Sequence, residues 1–306
     1  MARLRIATRG SALAVAQSGL VARAVERALG VETELVRIQT TGDRVKDRSL
    51  AALGGKGLFV KELEEALLAG RADLAVHSAK DLPARIAPGL ALAAFPARAD
   101  ARDALVGARF DALRRGARVG TGSLRRGAQL RFARPDLDVV PLRGNVDTRL
   151  RKLAEEGLDA VVLACAGLER LGLAGRIDER LDPARLLPAV GQGTLALEAR
   201  AGEALAADLA ALDCAATRAA TLAERAFLVR LSGDCTTPLA AFARVEGGEV
   251  ALDALLASPG GERLVRAAER APVAAAEEAG RRAAEAVLAR GGAEILAALA
   301  APASAP

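Results

Sequence analysis

The stretch Val119-Gly-Thr-Gly-Ser-Leu-Arg-Arg-Gly-Ala-Gln-Leu130 repeats a pattern that opens the chain. Near the N-terminus, Ile6-Ala-Thr-Arg-Gly-Ser11 likewise brings a threonine and a serine from a short apolar strand to the start of a helix. Serine is a preferred helix N-cap, and apolar residues keep helical spacing from Ser11 up to Gly30. This repetition predicts two similar α/β domains.

Strands and helices alternate through the first 200 residues, which is typical of parallel sheets with crossover helices. The apolar stretch over residues 195–200 is predicted to return the chain to the first sheet. From residue 213 a long helix leads into hairpins marked by Glu246-Gly-Gly-Glu249 and Ser258-Pro-Gly-Gly261. We therefore predict an α/β fold with two doubly wound domains, plus a C-terminal α+β domain with a small antiparallel sheet. The predicted bounds are residues 1–96 with 194–212, residues 97–193, and residues 213–306, and residues 96–103 are a candidate linker.

Composition places the chain among globular proteins that fold without disulfides. It has 306 residues, 52% of them hydrophobic, and a formal net charge of +5. Its three cysteines are an odd number with no Cys-x-x-Cys pair, so the sequence predicts neither a disulfide framework nor a metal site. A reducing cytoplasm fits this cysteine usage.

The sequence contains no signal for a membrane or for single-stranded nucleic acid. Arg9 and Gly10 interrupt the N-terminal apolar residues, and no later run approaches the roughly 18 apolar residues of a membrane span. The six aromatic residues are all phenylalanine, too few for the stacking surfaces that single strands need. We expect a cytoplasmic protein that binds no nucleic acid.

The stretch Asp73-Leu-Ala-Val-His-Ser-Ala-Lys-Asp-Leu-Pro83 is the predicted centre of the site. Its apolar part predicts a buried strand, and Pro83 cannot continue a central strand. Ser78, Lys80 and Asp81 then lie at a carboxyl end of the sheet, where α/β proteins bind their ligands. A surface ion pair between Lys80 and Asp81 is the alternative interpretation.

Cys235 lies between a glycine and a proline in Gly233-Asp-Cys-Thr-Thr-Pro238, which predicts an exposed loop. The sequence leaves open whether this thiol is functional or an ordinary loop cysteine. Cys165, at the end of a strand, and Cys214, on a helix, are predicted to be packing residues. His77 is the only histidine, so Cys-His and Ser-His-Asp chemistry and histidine metal sites have little support.

Six arginines occupy strand ends and helix starts, where the β-α pattern directs side chains toward a cleft. Guanidinium groups bind carboxylates and phosphates through two hydrogen bonds, so such a set predicts a ligand with several acidic groups. The six are Arg9, Arg125, Arg126, Arg143, Arg149 and Arg170. The glycine-rich segment over residues 53–59, which contains Lys56, lacks P-loop spacing; it is either a lid or anion-binding loop, or a plain connection.

Seven motifs, taken in order, resemble those of the porphobilinogen deaminase family, also called hydroxymethylbilane synthases. They are Thr8-Arg-Gly-Ser11, Gly54-Gly-Lys-Gly-Leu-Phe59, His77-Ser-Ala-Lys-Asp-Leu-Pro83, Gly120-Thr-Gly-Ser-Leu-Arg-Arg126, Leu142-Arg-Gly-Asn-Val146 with Arg149, Leu187-Pro-Ala-Val-Gly-Gln-Gly193 and Gly233-Asp-Cys-Thr-Thr-Pro238. The resemblance covers nearly the whole chain. It implies a monomeric three-domain enzyme that joins four porphobilinogen molecules head to tail with loss of ammonia. The growing chain is built on a dipyrromethane cofactor held by a thioether to Cys235.

The resemblance also implies roles for individual residues. Asp81 is the implied catalytic carboxylate, and Cys235 the implied attachment point. Cofactor binding is implied for Ser78, Lys80, Thr121, Ser123, Arg125, Arg126 and Arg143. Substrate binding is implied for Arg9, Ser11, Gln17, Lys56, Phe59, Arg149 and Arg170, with Lys56 and Phe59 on a mobile loop.

Three positions depart from the family pattern. Gly122 replaces a common serine, Ala52 stands where some relatives have a basic residue, and Asp234 replaces a glycine before Cys235. A carboxylate at Asp234 disfavours the neighbouring thiolate and so puts the ease of cofactor attachment in question.

A non-catalytic two-lobed binding protein of the periplasmic type, for a polycarboxylate, is the rival interpretation, since its paired sheets resemble this β-α pattern. A nucleotide-phosphate enzyme is a third and weaker one, because phosphate-binding fingerprints are missing.

Overall fold

The computed structural model describes residues 3–44, 59–233 and 237–300. The strands are β1 Leu4–Arg9, β2 Thr33–Ile38, β3 Leu74–Ser78, β4 Leu90–Ala94, β5 Asp103–Val106, β6 Arg118–Gly120, β7 Asp138–Val140, β8 Ala160–Ala164, β9 Glu179–Arg180, β10 Leu195–Arg200, β11 Leu239–Glu246, β12 Glu249–Ala257 and β13 Leu264–Pro272. The α-helices are α1 Ala12–Leu29, α2 Thr41–Arg44, α3 Lys61–Leu68, α4 Leu124–Ala133, α5 Val146–Glu155, α6 Cys165–Arg170, α7 Ala204–Asp208, α8 Ala215–Arg230, α9 Ala276–Val287 and α10 Ala293–Ala300. The chain forms two compact units. The first comprises Met1–Ala101, Ala164–Gly175 and Gly191–Arg218, and the second Arg102–Leu163, Arg176–Val190 and Ala219–Pro306.

The first unit contains a five-stranded sheet in the order β2-β1-β3-β10-β4. β1 pairs in parallel with β2 and β3, whereas β10 runs antiparallel to both of its neighbours, β3 and β4. Its core joins Ile6 of β1, Val25 of α1, Leu74 of β3 and Leu197 of β10, all nearly inaccessible to solvent. The predicted return of residues 195–200 to the first sheet is confirmed.

The second unit contains a sheet with the equivalent order, β7-β6-β8-β5-β9. β6 pairs in parallel with β7 and β8, as β1 does with β2 and β3. Val119, Leu130 and Val162 are among the residues that fill its core. The prediction of two similar α/β sheets, drawn from the repeated Thr-x-Ser motif, is therefore confirmed.

A three-stranded antiparallel sheet, β11-β12-β13, follows α8. Gly247 and Gly248 both have positive φ, +58° and +84°, as a two-residue turn between paired strands requires. Helix α9 packs on this sheet through a face of small residues that includes Ala279, Ala283 and Val287. The hairpins predicted after residue 213 are confirmed, whereas the predicted bounds of the three domains remain a prediction.

Two local predictions need correction. The candidate linker ends before its last residue, because Asp103 opens β5 and its side chain is completely buried. Cys214 precedes α8 rather than lying within it. Within the described part of the chain, no helix has the length and apolar character to span a membrane.

Candidate active site

A cavity lies at the edge of the first sheet where β1 and β3 end. Because the two strands are parallel, their carboxyl ends meet at this edge, which is the usual ligand position in α/β sheets. The lining residues are Arg9, Ser11, Leu13, Ala14, Gln17, Phe59, Val60, Val76, His77, Ser78 and Asp81. The structure thus brings together six residues that the sequence predicts for the site: Arg9, Ser11, Gln17, Phe59, Ser78 and Asp81.

The start of α1 forms one wall of this cavity. Ser11 is its N-cap, and the Ser11 Oγ accepts a hydrogen bond from the Ala14 amide at 3.2 Å. One turn later, the Gln17 Nε2 donates to the Ser78 Oγ at 3.0 Å, which ties α1 to the end of β3. Free amides and the positive end of the helix dipole favour an anionic group at this position.

Arg9 and Phe59 stack against each other at the same cavity. The Arg9 guanidinium carbon lies 4.0 Å from the centroid of the Phe59 ring, a cation–π distance. Stacking uses the face of a guanidinium, whereas its N–H donors lie along the edge. Arg9 can therefore keep this contact and still offer N–H groups to a carboxylate.

Asp81 lies in a single 3₁₀ turn, Ala79–Asp81, that follows β3. The Ala79 amide donates to the Thr194 carbonyl oxygen at 3.0 Å, so the segment before β10 holds this turn in place. Gly191, in that segment, has φ +69° and packs directly on the turn: a Cβ atom built on it would lie 2.8 Å from the Ala79 Cβ and 2.9 Å from the Ala79 carbonyl carbon. Sequence reasoning assigned no role to Gly191, because the two segments are far apart in the chain.

Substituting Gly191 with alanine should displace the turn that carries Asp81. Alanine at positive φ is strained, and its Cβ has no room beside Ala79. A misplacement of about 1 Å can cost about 10²-fold in rate, so we expect kcat to fall by about that factor while the protein stays folded. Gly172→Ala is the matched control, since Gly172 has φ +72° but no atom within 4 Å of the added Cβ. Equal kcat in the two variants would contradict this role for Gly191.

The second unit repeats the strand-to-helix arrangement of the first. Ser123 is the N-cap of α4, with its Oγ accepting from the Arg126 amide at 3.4 Å, and Thr121 Oγ1 accepts from the Ser123 amide at 3.2 Å. Gly122 lies between them, where a Cβ would come within 2.6 Å of the Leu142 carbonyl oxygen. Gly122, which replaces the serine common in the family, therefore lies at a position where the backbone of Leu142 leaves no room for a side chain.

Arg125 and Arg126 are buried and share one carboxylate, that of Asp103. Arg125 Nη1 lies 2.7 Å from Asp103 Oδ2, and Arg126 Nη2 lies 2.6 Å from Asp103 Oδ1. The main-chain carbonyl oxygens of Leu187 and Val162 accept further hydrogen bonds from Arg125 and Arg126, respectively. Sequence reasoning placed Asp103 in a linker and did not identify it as the partner of Arg125 and Arg126. The apolar residues Ala104 to Val106, which directly follow Asp103, would have indicated that it begins a strand.

The charges of this cluster hold Asp103 ionised. Burial by itself would raise the pKa of the Asp103 carboxyl, but the charges of Arg125 and Arg126 and their hydrogen bonds outweigh it and keep the pKa well below the ordinary value. Two guanidinium groups still face one carboxylate, and the Arg125 Nε has no acceptor among the described residues. The cluster therefore retains a surplus of buried positive charge.

Removing the Asp103 charge should destabilise the second unit strongly. Asp103→Asn leaves two buried guanidinium groups without their carboxylate, a type of change that typically costs about 3–5 kcal/mol. The urea midpoint should drop accordingly, whereas Glu277→Gln, which breaks an exposed pair with Arg281, should leave it unchanged.

Asp103→Asn should remove a part of the free energy of unfolding that depends on pH in the acidic range. Because the folded-state pKa of Asp103 is lowered, its contribution is complete above the ordinary carboxyl pKa of about 3.9 and is lost as the pH falls through the folded value. The difference in unfolding free energy between wild type and Asp103→Asn should therefore shrink on acidification. A difference independent of pH would contradict this account.

Three further predicted arginines are described, two in the second unit and one in the first. Arg143 follows β7 and Arg149 lies on α5, both half-buried in the second unit. Arg170, at the end of α6 in the first unit, donates to the Gly193 carbonyl oxygen at 2.7 Å. Burial lowers the pKa of Arg170 to about 10. Arg170 lines a separate, mostly apolar cavity of about 450 Å³ beside Leu20 and Pro96.

Several predicted residues lie outside the described part of the chain. These are Lys56, the departures at Ala52 and Asp234, and Cys235 itself. The other two cysteines are described. Cys165 is completely buried, which agrees with its prediction as a packing residue, and Cys214 is half-buried before α8.

The fold and the described site are those of an α/β protein with cationic groups gathered at helix starts and sheet edges. Two family models match the chain: "Porphobilinogen deaminase, dipyromethane cofactor binding domain" over residues 4–208, and "Porphobilinogen deaminase, C-terminal domain" over residues 219–289. The chain belongs to the porphobilinogen deaminase family, and it contains that family's dipyrromethane cofactor binding domain.

Individual relatives agree with this assignment. A porphobilinogen deaminase of Sorangium cellulosum is 55% identical over 272 residues, which cover 87% of this chain and 91% of that protein. One from Xanthomonas campestris pv. campestris is 52% identical over 304 residues, covering 98% and 100%, respectively. Among solved structures, an ABC transporter periplasmic substrate-binding protein from Coxiella burnetii aligns with 68% of this chain and 91% of its own at 12% identity and a TM-score of 0.43.

Proposed function

We propose that this chain is a hydroxymethylbilane synthase, which joins four porphobilinogen molecules head to tail with loss of ammonia and so makes the linear tetrapyrrole of porphyrin and haem biosynthesis. One observation carries the proposal beyond family membership: Asp81, Arg9, Ser11 and Ser78 converge on a single cavity. A carboxylate next to hydroxyl groups and a guanidinium suits a substrate with a pyrrole N–H and carboxylate side chains. The rival, a non-catalytic binding protein for a polycarboxylate, gives Asp81 no role.

Asp81 is proposed to act on the reacting pyrrole. A fixed carboxylate accepts hydrogen bonds from pyrrole N–H groups and stabilises the positive charge that develops when ammonia leaves. The turn Ala79–Asp81 is held by the Thr194 carbonyl and by Gly191, so this charge needs little reorganisation during reaction. Arg9, Ser11, Gln17 and Phe59 are proposed to bind substrate at the same cavity.

Ser78, Lys80, Arg125 and Arg126 are proposed as residues that bind the dipyrromethane. The surplus positive charge around Arg125 and Arg126, and the Arg125 Nε without an acceptor among the described residues, fit a group that bears several carboxylates. Thr121, Ser123 and Arg143 complete the proposed cofactor set, with Cys235 as the attachment point. When bound, the cofactor supplies the pyrrole to which new units are added.

Arg149, Arg170 and Lys56 are proposed to bind the substrate units. Losing the charged partner of a buried carboxylate typically costs about 2–5 kcal/mol, so arginine substitutions should be severe but not equivalent. Arg125→Leu should impair cofactor loading. Arg149→Leu should allow some loading and then stall elongation. The measurement is the mass distribution of covalent intermediates during turnover, and wild-type distributions in both variants would contradict the proposed division of roles.

The test of the function itself is direct conversion of porphobilinogen by the purified protein. Substrate loss should be accompanied by ammonia release and by a linear tetrapyrrole as product. Tight binding of porphobilinogen without ammonia release would support the binding-protein interpretation instead.

We also propose that the enzyme works in the cytoplasm as a monomer, without nucleic acid. Three cysteines with no Cys-x-x-Cys pair suit a reducing compartment, and six phenylalanines provide few stacking surfaces for a single strand. Light scattering on the loaded protein at working concentration should give the mass of one chain.

A further inference from the structure

The only histidine of the chain, His77, lies in the wall of the Asp81 cavity. Its side chain is 3% exposed, and its Nε2 lies 2.9 Å from Oε2 of Glu198, whose side chain is fully buried. The two residues belong to adjacent strands, β3 and β10. A buried imidazole that is paired with a carboxylate therefore lines the same cavity as the proposed catalytic carboxylate.

Among the described residues, four charged groups pair with His77, interact with it electrostatically or line the same cavity. Glu198 pairs with it from β10, and Glu64 approaches from α3, where burial raises the pKa of the Glu64 carboxyl. Arg9 and Asp81 line the same cavity as the imidazole. Among the described residues Glu198 is the only hydrogen-bond partner of the ring, and the Glu198 Oε1 has none.

This pairing fixes the state of the imidazole. A carboxylate can only accept, so a neutral His77 must carry its proton on Nε2 and donate it to Glu198. Nδ1 is then left with a free lone pair, which makes it a proton acceptor, and the buried carboxylate stabilises the imidazolium that forms when a proton arrives. A pair that served only to tie β3 to β10 would not need to border the cavity.

The proposed reaction requires such an acceptor. Each time a pyrrole carbon is joined to a new unit, its C–H bond must break so that the ring regains its aromatic electrons. Asp81 is occupied with pyrrole N–H groups and with the charge left by ammonia, and protonation would remove the negative charge on which that role depends. A second group is therefore needed for the proton from carbon.

We propose that His77, positioned by Glu198, accepts the proton that the pyrrole carbon loses at each condensation. The C–H electron pair returns to the ring, the proton forms an N–H bond at Nδ1, and the resulting imidazolium passes a proton to water or to the departing ammonia before the next cycle. This inference rests on the proposed function and adds a catalytic residue to it.

The first test is spectroscopic and does not depend on activity. It is unambiguous because the chain has a single histidine. In the ¹⁵N-labelled, cofactor-loaded protein, long-range ¹H–¹⁵N spectra should show one imidazole, with its proton on Nε2 when neutral. Glu198→Gln should allow the neutral ring to carry its proton on either nitrogen, because an amide can donate a hydrogen bond to the ring as well as accept one from it. A neutral wild-type imidazole with its proton on Nδ1 would overturn the proposal.

The second test is kinetic. General-base catalysis typically contributes about 10²–10⁴-fold, so His77→Gln should lower kcat by at least about 10²-fold. With porphobilinogen deuterated at its free ring carbon, the variant should show a larger isotope effect than wild type, since proton loss becomes limiting. A purely structural role for His77 would not increase the isotope effect.

Asp73→Asn is the matched control. Asp73 precedes β3 and pairs with Arg5 of β1 at 2.7 Å and with Arg200, at the end of β10, at 3.5 Å. It therefore joins β3 to both of its neighbouring strands at the end away from the cavity. This control should keep the wild-type isotope effect. If wild type fails to convert porphobilinogen, the proposed function is wrong. If wild type and His77→Gln turn over alike, only the role of His77 is wrong.

Discussion

Replacing Asp81 with asparagine should lower the turnover of porphobilinogen by about 10²–10³-fold, the typical cost of removing one preorganised electrostatic partner. When ammonia leaves, positive charge spreads over the methylene pyrrole toward its ring nitrogen. A carboxylate already in place stabilises that charge as it develops, whereas water must reorient its dipoles. Asparagine keeps the shape and a hydrogen-bond acceptor but lacks the charge.

Two further variants separate charge from position. Asp81→Ala should be about as inactive as Asp81→Asn, whereas Asp81→Glu keeps the charge on a longer arm and should retain a small residual rate. All three should fold, since Asp81 is a half-buried turn residue outside the hydrophobic core. Steady-state kinetics on folded, cofactor-loaded protein is the measurement. Near-normal turnover by Asp81→Asn would contradict the catalytic role of Asp81. It would favour the alternative interpretation, a surface ion pair between Lys80 and Asp81.

Replacing Cys235 with serine should abolish activity completely and leave a folded protein without cofactor. A thiolate is a soft nucleophile, and the thioether it forms survives repeated turnover, whereas a serine hydroxyl is a poor nucleophile at neutral pH. Circular dichroism and intact mass should together show a native fold and no adduct.

Cys214 provides the matched control for this substitution. It is half-buried at the start of α8, and a hydrogen bond from the Thr217 side chain lowers the pKa of its thiol, so it is the more reactive of the two described cysteines. Cys165 is completely buried. Cys214→Ser should load cofactor normally, and peptide mapping that located the adduct on Cys214 or Cys165 would refute the assignment to Cys235.

Local signals in the sequence were sufficient for most of the fold. Ser11 and Ser123 cap their helices as predicted, because an N-cap needs only a hydroxyl a few residues before the amide that it accepts from. The Gly-Gly turn between β11 and β12 was equally readable, since it depends on backbone conformation within four residues. The rule that α/β sheets bind ligands at the carboxyl ends of their strands predicted that Ser78 and Asp81 lie at such an edge, and the structure has Arg9 and Ser11 lining the same cavity.

The missed residues depend on partners far along the chain. Asp103 meets Arg125 and Arg126 more than 20 positions away, and Glu198 meets His77 at a separation of 121 residues. Nothing local distinguishes a fully buried glutamate on a strand from one that faces solvent. Gly191 belongs to the motif at residues 187–193, but the requirement for a residue without a Cβ arises only because it packs on the turn that contains Asp81.

The intact mass of the purified wild-type protein, measured after denaturation, tests the central claim most directly. Denaturation removes anything bound non-covalently, so only a covalent group can add to the sequence mass. We predict a single species heavier than the sequence by one dipyrromethane, which shifts by further pyrrole units when substrate is added, and a Cys235→Ser variant at the mass of its sequence. A wild-type protein found only at its sequence mass, before and after porphobilinogen is added, would contradict the account.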